Sequence, residues 1–447
     1  MTNPAQAVNA WIYLNEDEPS GTNYTSTNSC YQTLITYGVY NAVNMLGICF
    51  FTTTGPANNL TLAIGSGTHP GGYTNAQYLQ WITRDARATN PNIKLLATLD
   101  YGTNWFAPLF SGPQSGWQSQ VNTFASNLLA YLQANNLDGF DIDWEWPLCN
   151  DITQQQFAML FQAIRAAFNT STGKYFYLTT APATTVNLDA PTVNQCFDIV
   201  TLQLYYSKAL RQEFINYNID AALLAYGAKF ESTGNGDMTP YQDAQNAYAG
   251  YKKDSYGVAM QWRLNSGDYQ FEQAQQMLLA QLIWAPVSSS FDDSPIVGAA
   301  GNPPITQLVV RSGNVLDAIQ ATNTGKFENP STTPPVVKLT YSLEQHGGNG
   351  GAASTVATTV DDPIVQISGY TGTWFGWNVV LQITLTTKSG KTFGPFGTMA
   401  NATSKTPFKF TAPSGQSIVA FKGTTVVVPE ASAPPSAVIA SLGFTTA

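Results

Sequence analysis

The chain has 447 residues, of which 19 are basic, 28 acidic and two histidine, for a net charge of −9. Charged residues make up 11% of it, under half the roughly 25% of an average soluble protein, while 44% are apolar and 12% aromatic, ample for a large core. An acidic, Lys-poor chain is a poor ligand for phosphate backbones, which excludes nucleic acid as a partner. His69 and His346 are its only histidines, which excludes a multi-histidine metal site and leaves few options for a Ser-His-Asp triad. Chemistry must come from carboxylates and neutral polar groups, and no metal or cofactor is implied.

The N-terminus, MTNPAQ, has neither a basic segment nor an apolar one, so no signal peptide is visible. The low charge and abundant Asn, Gln, Ser and Thr nevertheless suit an exported, extracellular protein. No apolar run approaches the roughly 18–20 residues of a membrane span; the strongest, residues 45–51, has the length of a strand. Cys30, Cys49, Cys149 and Cys196 show no CxxC spacing. A chain of this size needs no staples, so buried free thiols are expected ahead of disulfides.

Strand-like runs occur at 8–13, 44–53, 94–99, 137–144, 175–181, 199–206, 223–230 and 257–262, with amphipathic patterns between them. Between the third and fourth runs, Trp117, Val121, Phe124, Leu128 and Leu132 recur at helical spacing. Between the fourth and fifth, Phe157, Leu160, Phe161, Ile164 and Phe168 do the same. Eight strands separated by helices predict an α/β fold with a parallel sheet, and residues 1–287 have the size of a (β/α)8 barrel.

After residue 285 helical periodicity disappears and Gly, Pro, Ser and Thr rise. Residues 288–304 read as a loop marking the boundary, and 288–447 as an all-β domain. The stretches 308–321, 364–386 and 408–425 continuing into 437–446 each hold a strand, a Gly-centred turn and a second strand. Such repetition predicts threefold pseudosymmetry.

The chemistry concentrates in LDGFDIDWEWP, residues 137–147. Four carboxylates, Asp138, Asp141, Asp143 and Glu145, fall within eight residues, where 28 acids in 447 would place about half of one. On a strand, Asp141, Asp143 and Glu145 share one face, while Phe140, Ile142 and Trp144 take the other. Like charges so close repel, and this keeps one or more protonated, as a general acid requires. A calcium or magnesium loop would place glycine among the acids, whereas β-formers separate these. The strand's C-terminal end is also where such barrels carry active sites.

DGFDIDWEWP resembles the DxxDxDxE signature of glycoside hydrolase family 18, the chitinases and related endo-β-N-acetylglucosaminidases. The resemblance implies a retaining, substrate-assisted mechanism. Glu145 would protonate the glycosidic oxygen, and Asp143 would orient the substrate's 2-acetamido group. Asp141 would be the buried partner sharing a proton with Asp143, and Asp138 would hold the strand entry. The sixth strand, TLQLYY, is similar to the family's Q-x-Y pattern, which implies Tyr205 on the acetamide carbonyl with Gln203 and Tyr206 beside it. The eighth, GVAMQW, is similar to G-x-M-x-W, placing Met260 in the site and Trp262 as an apolar floor under a sugar ring. Asp138, Gln203, Tyr206, Met260 and Trp262 are thus the expected substrate-binding residues. LTTAPA matches the family's fifth strand. One departure stands out. LLATLDYG puts Thr98, Leu99, Asp100 and Tyr101 where the family usually has S-x-G-G. Trp105, Trp117, Trp144 and Trp146 are further candidates for subsites.

From residue 291 onward the chain resembles a jacalin-related, β-prism lectin domain, through FDD, LVVRSGNVLDAIQ, HGGNGG, ITLTTKSGKTFGPFG, SIVAFKG and VIASLGF in that order. The resemblance implies a prism of three sheets. That family commonly grips sugar with an Asp before the last strand, a place held here by Ala440 after an insertion from 424 to 437. A methyl group cannot accept the sugar's hydroxyls, so the usual site is expected to be weak. Tyr370, Trp374, Phe375 and Trp377 offer an alternative stacking surface or core. The reading that emerges is a chitinase with a lectin-like module for a second carbohydrate, acting on chitin or other N-acetylglucosamine glycans. An endo-β-N-acetylglucosaminidase of N-glycan cores and a non-hydrolytic chitinase-like lectin are the competitors.

Overall fold

The eight apolar runs close into a ring of parallel strands. β1 (Ala7–Tyr13), β2 (Met45–Thr54), β3 (Lys94–Leu99), β4 (Gly139–Ile142), β5 (Tyr177–Thr180), β6 (Ile199–Gln203), β7 (Leu224–Lys229) and β8 (Val258–Trp262) bond in the order β1-β8-β7-β6-β5-β4-β3-β2, and β2 returns to β1. This computed structural model describes residues 6–205, 210–231, 240–284, 288–329, 336–430 and 433–447. The chain divides into two compact units, 1–284 and 285–447. Strands covered on both faces need apolar residues almost throughout, and β1 is buried at all positions but its last.

α1 (Cys30–Thr36), α2 (Asn75–Thr89), α3 (Gln114–Ala134), α4 (Gln154–Asn169), α5 (Ala190–Cys196), α6 (Leu210–Asn216), α7 (Pro240–Lys253) and α8 (Tyr269–Trp284) each follow one strand. Val121, Phe124, Leu128 and Leu132 of α3 are buried, as are Phe157, Leu160, Phe161, Ile164 and Phe168 of α4. Their spacing puts them on one helix face. Helices α2 and α4 start alike. Thr74 and Thr153 accept the amide of the residue three places on, Gln77 or Gln156, whose side chain answers to the cap's own N–H, an arrangement worth about 1 kcal/mol.

Inside the ring, Ala7, Met45, Leu96, Ile199, Ala225 and Val258 pack where the strands begin. Trp11, Cys49, Ala181 and Met260 form a cluster nearer their ends. Gly139 brings β4 against β5, since a Cβ there would lie 2.3 Å from the Tyr177 carbonyl oxygen. β4, β5 and β6 are shorter than the apolar runs that contain them, and beyond their C-terminal ends the chain lines an opening. All four cysteines are buried free thiols. Among the described residues no helix is long and apolar enough to cross a membrane.

The second unit is built from three antiparallel sheets. One holds β9 (Ser288–Asp292), β18 (Ile418–Glu430) and β19 (Ala433–Thr446). Another holds β10 (Ile305–Ser312), β11 (Leu316–Asn329), β12 (Val336–Ser342) and β13 (Ala352–Ala357), and the third β14 (Ile364–Trp374), β15 (Trp377–Thr387), β16 (Thr392–Phe396) and β17 (Thr406–Thr411). Leu308 and Ile319, Ile367 and Ile383, and Ile418 and Ile439 bring the three sheets into one core. Residues 288–304, expected as a loop, instead hold β9 and a short helix, α9 (Ser294–Ala299). The strand was hidden because its partner, β18, lies more than 120 residues away. The third repeat also begins later than expected. Residues 406–411 form β17 and pair with β14 in the sheet of the second repeat, so the third hairpin is β18–β19.

Candidate active site

Strand alternation would carry Asp141, Asp143 and Glu145 inward, and the backbone sharpens this. Ladder pairing extends to the Asp143 N–H, which donates to the Leu99 carbonyl at 3.1 Å. The chain then turns tightly, with the Glu145 N–H 3.1 Å from the Asp143 carbonyl. Trp144 is thrown outward, packs on Phe157 and Phe161 of α4, and donates its indole N–H to the Val186 carbonyl at 3.0 Å. One buried ring outside thus anchors two acids inside.

Asp141 is the deepest of the three. Its Oδ2 accepts the Trp11 indole N–H at 2.9 Å and the Thr98 hydroxyl at 3.0 Å, and its Oδ1 accepts the Thr179 hydroxyl at 2.6 Å. Burial pushes this carboxyl above its usual range while the three donors pull the other way. Asp143 sits in a different field. Burial, then the neighbouring Glu145 carboxyl to which it hydrogen-bonds, hold it well above the ordinary carboxylate range. The Gln203 amide spans this pair, donating to Asp143 Oδ1 at 3.1 Å and Glu145 Oε1 at 2.8 Å, with the Ala181 carbonyl a third acceptor at 3.1 Å. The two carboxyls are thus held side by side on one donor, Asp143 the more deeply buried of them. Asp143 faces Glu145 across the Gln203 amide, while both Asp141 oxygens accept donors from other strands.

The pair opens into a cavity of about 330 Å³ lined by Trp11, Tyr13, Phe50, Thr98, Tyr101, Asp143, Glu145, Ala181, Gln203, Tyr205 and Trp262. Phe50 stacks on Trp262 at 5.7 Å, and Trp11 meets the same ring edge-on at 6.0 Å. Tyr101, 44% exposed, stands edge-on to Phe50 at the rim. The result is a site with a proton-carrying end and broad aromatic walls, the combination that grips a ring with one apolar face and a polar edge.

Of the residues expected in the site, Glu145, Asp143, Tyr205, Trp262 and Gln203 line this cavity, with Asp141 directly behind it. Asp138 lies at the opposite end of β4, where it pairs with Arg87 at 2.7 Å and Lys174 at 2.9 Å and accepts the Leu95 N–H. That placement removes it from contact with anything bound above. Met260 is buried beneath the cavity with Trp11, Cys49 and Ala181, and Tyr206 lies outside the described residues. Trp105, Trp117, Trp144 and Trp146 are not among the lining residues; Trp144 packs outward and Trp146 is 62% exposed. Sequence reasoning did not single out Trp11, Tyr13, Phe50 or Thr179. Alternation along β1 would have placed Trp11 and Tyr13 on one face, but nothing local said that this face meets Asp141.

Residues 10–268 match the profile of glycosyl hydrolases family 18, and residues 289–427 that of the jacalin-like lectin domain. The chain belongs to glycosyl hydrolase family 18. Its C-terminal block is a jacalin-like lectin domain. The family 18 chain is 37% identical over 83 residues to an endochitinase of Brugia malayi, a match covering 18% of this chain and 15% of that protein. Among solved structures, it is similar to a chitinase-like agglutinin from Robinia pseudoacacia, at 17% identity and a TM-score of 0.45 over 62% of this chain and 99% of that one. A class V chitinase from Nicotiana tobaccum matches at 14% identity and a TM-score of 0.47, over 63% and 99%. Malaysian banana lectin matches 36% of this chain and all of its own at 24% identity, with a TM-score of 0.24.

In the lectin domain the motifs FDD and HGGNGG meet. His346 stacks on Phe291 at 4.0 Å and shares a 2.8 Å hydrogen bond with Asp293. The insertion at 424–437 lengthens a hairpin, giving β18 and β19 of 13 and 14 residues. Ala440 is the extra residue of a bulge, between the pairs Thr424–Ser441 and Thr425–Ile439. The glycine-rich loop is also pinned. The Gly348 N–H lies 2.8 Å from the Ala437 carbonyl, and Arg311 donates to the carbonyls of Asn349, Gly350 and Gly351.

Proposed function

We propose that the barrel is a chitinase that hydrolyses β-1,4-linked N-acetylglucosamine polymers with retention, using the substrate's own acetamide as nucleophile. The observation that carries this reading is the Asp143–Glu145 carboxyl pair, spanned by Gln203 and opening onto aromatic walls. With substrate bound, Asp143 turns to the acetamide N–H, and Glu145 carries the proton. Glu145 gives that proton to the glycosidic oxygen as the C1–O bond breaks, and the acetamide carbonyl oxygen bonds to C1. Tyr205 donates to that carbonyl, and the ionised Asp143 offsets the positive charge of the cyclic intermediate. Water then attacks C1, its proton returns to Glu145, and the acetamide is released. Trp262 lies against the apolar face of the sugar. An insoluble polymer of this kind is met outside the cell, so the enzyme works there, with the jacalin-like domain attaching it to a second carbohydrate.

Glu145→Gln keeps the shape and removes the transferable proton. It is expected to lower hydrolysis of N-acetylglucosamine oligomers by about 10²–10⁴-fold or more, with oligomer binding retained; unchanged turnover overturns the assignment. Mass analysis of products from chitin oligomers and from a high-mannose glycopeptide separates chitinase from endo-β-N-acetylglucosaminidase action.

A further inference from the structure

Four charged side chains converge beside the cavity, at a distance from the two acids. They are Glu16 beyond β1, Lys229 and Glu231 at the end of β7, and Arg263 directly after β8. In a chain so poor in charge this concentration needs a reason, since half-buried ions are costly unless paired. Arg263 Nη1 pairs with Glu16 Oε2, Arg263 Nε donates to Glu231 Oε1 at 3.1 Å, and Lys229 Nζ meets Glu231 Oε2 at 2.9 Å. All four side chains are only 12–17% exposed.

The same guanidinium lies 5.3 Å from the Tyr13 ring centroid and 5.8 Å from that of Trp262, so two aromatic walls of the cavity rest on it. Backbone bonds repeat the stitch. The Leu264 N–H donates to the Trp11 carbonyl at 3.0 Å, and the Asn265 amide pairs with the Tyr13 N–H and carbonyl at 2.9 and 2.7 Å. A planar fork that meets two carboxylates and two ring faces together is a task for arginine and not for lysine. Without the guanidinium, Glu16 would lose its cation and Lys229 alone would remain on Glu231, so the tie between the ends of β1 and β7 would be lost.

We propose that Arg263 is a positioning residue for sugar binding, tying the ends of β1, β7 and β8 together so that Trp262 and Tyr13 hold a fixed angle to the bound ring. The inference rests on the chitinase reading, and its tests fail separately from that reading. With the N-acetylglucosamine tetramer, Arg263→Met is expected to raise KM about tenfold while kcat stays within about twofold. Arg263→Lys, which can serve one carboxylate but not both, recovers part of the loss. A merely structural role would lower kcat through fewer active molecules and leave KM unchanged, and that outcome overturns the proposal. Glu231→Gln is expected to raise KM severalfold with kcat kept, and it carries the test if Arg263→Met does not fold. If the wild type does not cleave the tetramer, the chitinase reading falls alone. The crystal structure of an Arg263 variant then decides, because a Trp262 ring that stays in place overturns the proposal and a displaced or doubled ring supports it.

Discussion

Asp138, Asp141, Asp143 and Glu145 are neighbours in sequence, and their surroundings give them different tasks. Asp138 is neutralised by Arg87 and Lys174 at the strand's beginning. Asp141 is surrounded by three donors, and Asp143 faces another acid. Alternation of strand side chains made the shared face of the last three legible from spacing alone. The donors to Asp141 were not legible, because Trp11, Thr98 and Thr179 come from three other strands, 38 to 130 residues away. A second buried acid shows what burial does to stability. Glu272 of α8 is pushed up to about 8 by burial, against the opposing pull of the Ser266 hydroxyl and N–H. Its folded state holds a proton that the unfolded chain releases near pH 4–5. Glu272 therefore adds stability below that range, and the contribution is lost as pH rises towards 8. The wild type is expected to melt at lower temperature at pH 8 than at pH 5, and Glu272→Gln to flatten that slope. Equal slopes in a calorimetric pH series would refute the assignment.

Among the elements, the β18–β19 hairpin decides most about the lectin domain. The replacement of the expected Asp by Ala440 was visible in the sequence, and it argued for a weak sugar site. The structure adds a second reason. The Gly348 N–H of the glycine-rich loop is already bonded to the Ala437 carbonyl of β19, and Ala440 sits in a strand bulge. Restoring the carboxylate alone should therefore not be enough. Ala440→Asp is expected to give no measurable gain in affinity for free monosaccharides by titration calorimetry, whereas a clear gain would show that only the carboxylate was missing. The barrel's β1 offers the converse case. Its apolar pattern marked it as a strand, yet its place beside β2 and β8 is what turns Trp11 and Tyr13 into site residues.

At the scale of the whole molecule, the two compact units, 1–284 and 285–447, each carry their own core. Removal of residues 288–447 is expected to leave turnover of soluble N-acetylglucosamine oligomers within about twofold and to reduce action on the insoluble polymer severalfold. Product release assayed on both substrates tests this. Equal loss on both would mean that the barrel depends on its neighbour to fold.

Scarcity of charge, the crowding of four acids into eight residues, the eight-strand rhythm and the change of texture after residue 285 all follow from the sequence by itself, because periodicity and composition are local properties. Which side chain spans Asp143 and Glu145, which rings wall the cavity, and that an arginine beyond β8 ties three strand ends together were decided only when the ring closed. Closure brings residues far apart in the chain within hydrogen-bonding distance, and no local period encodes that.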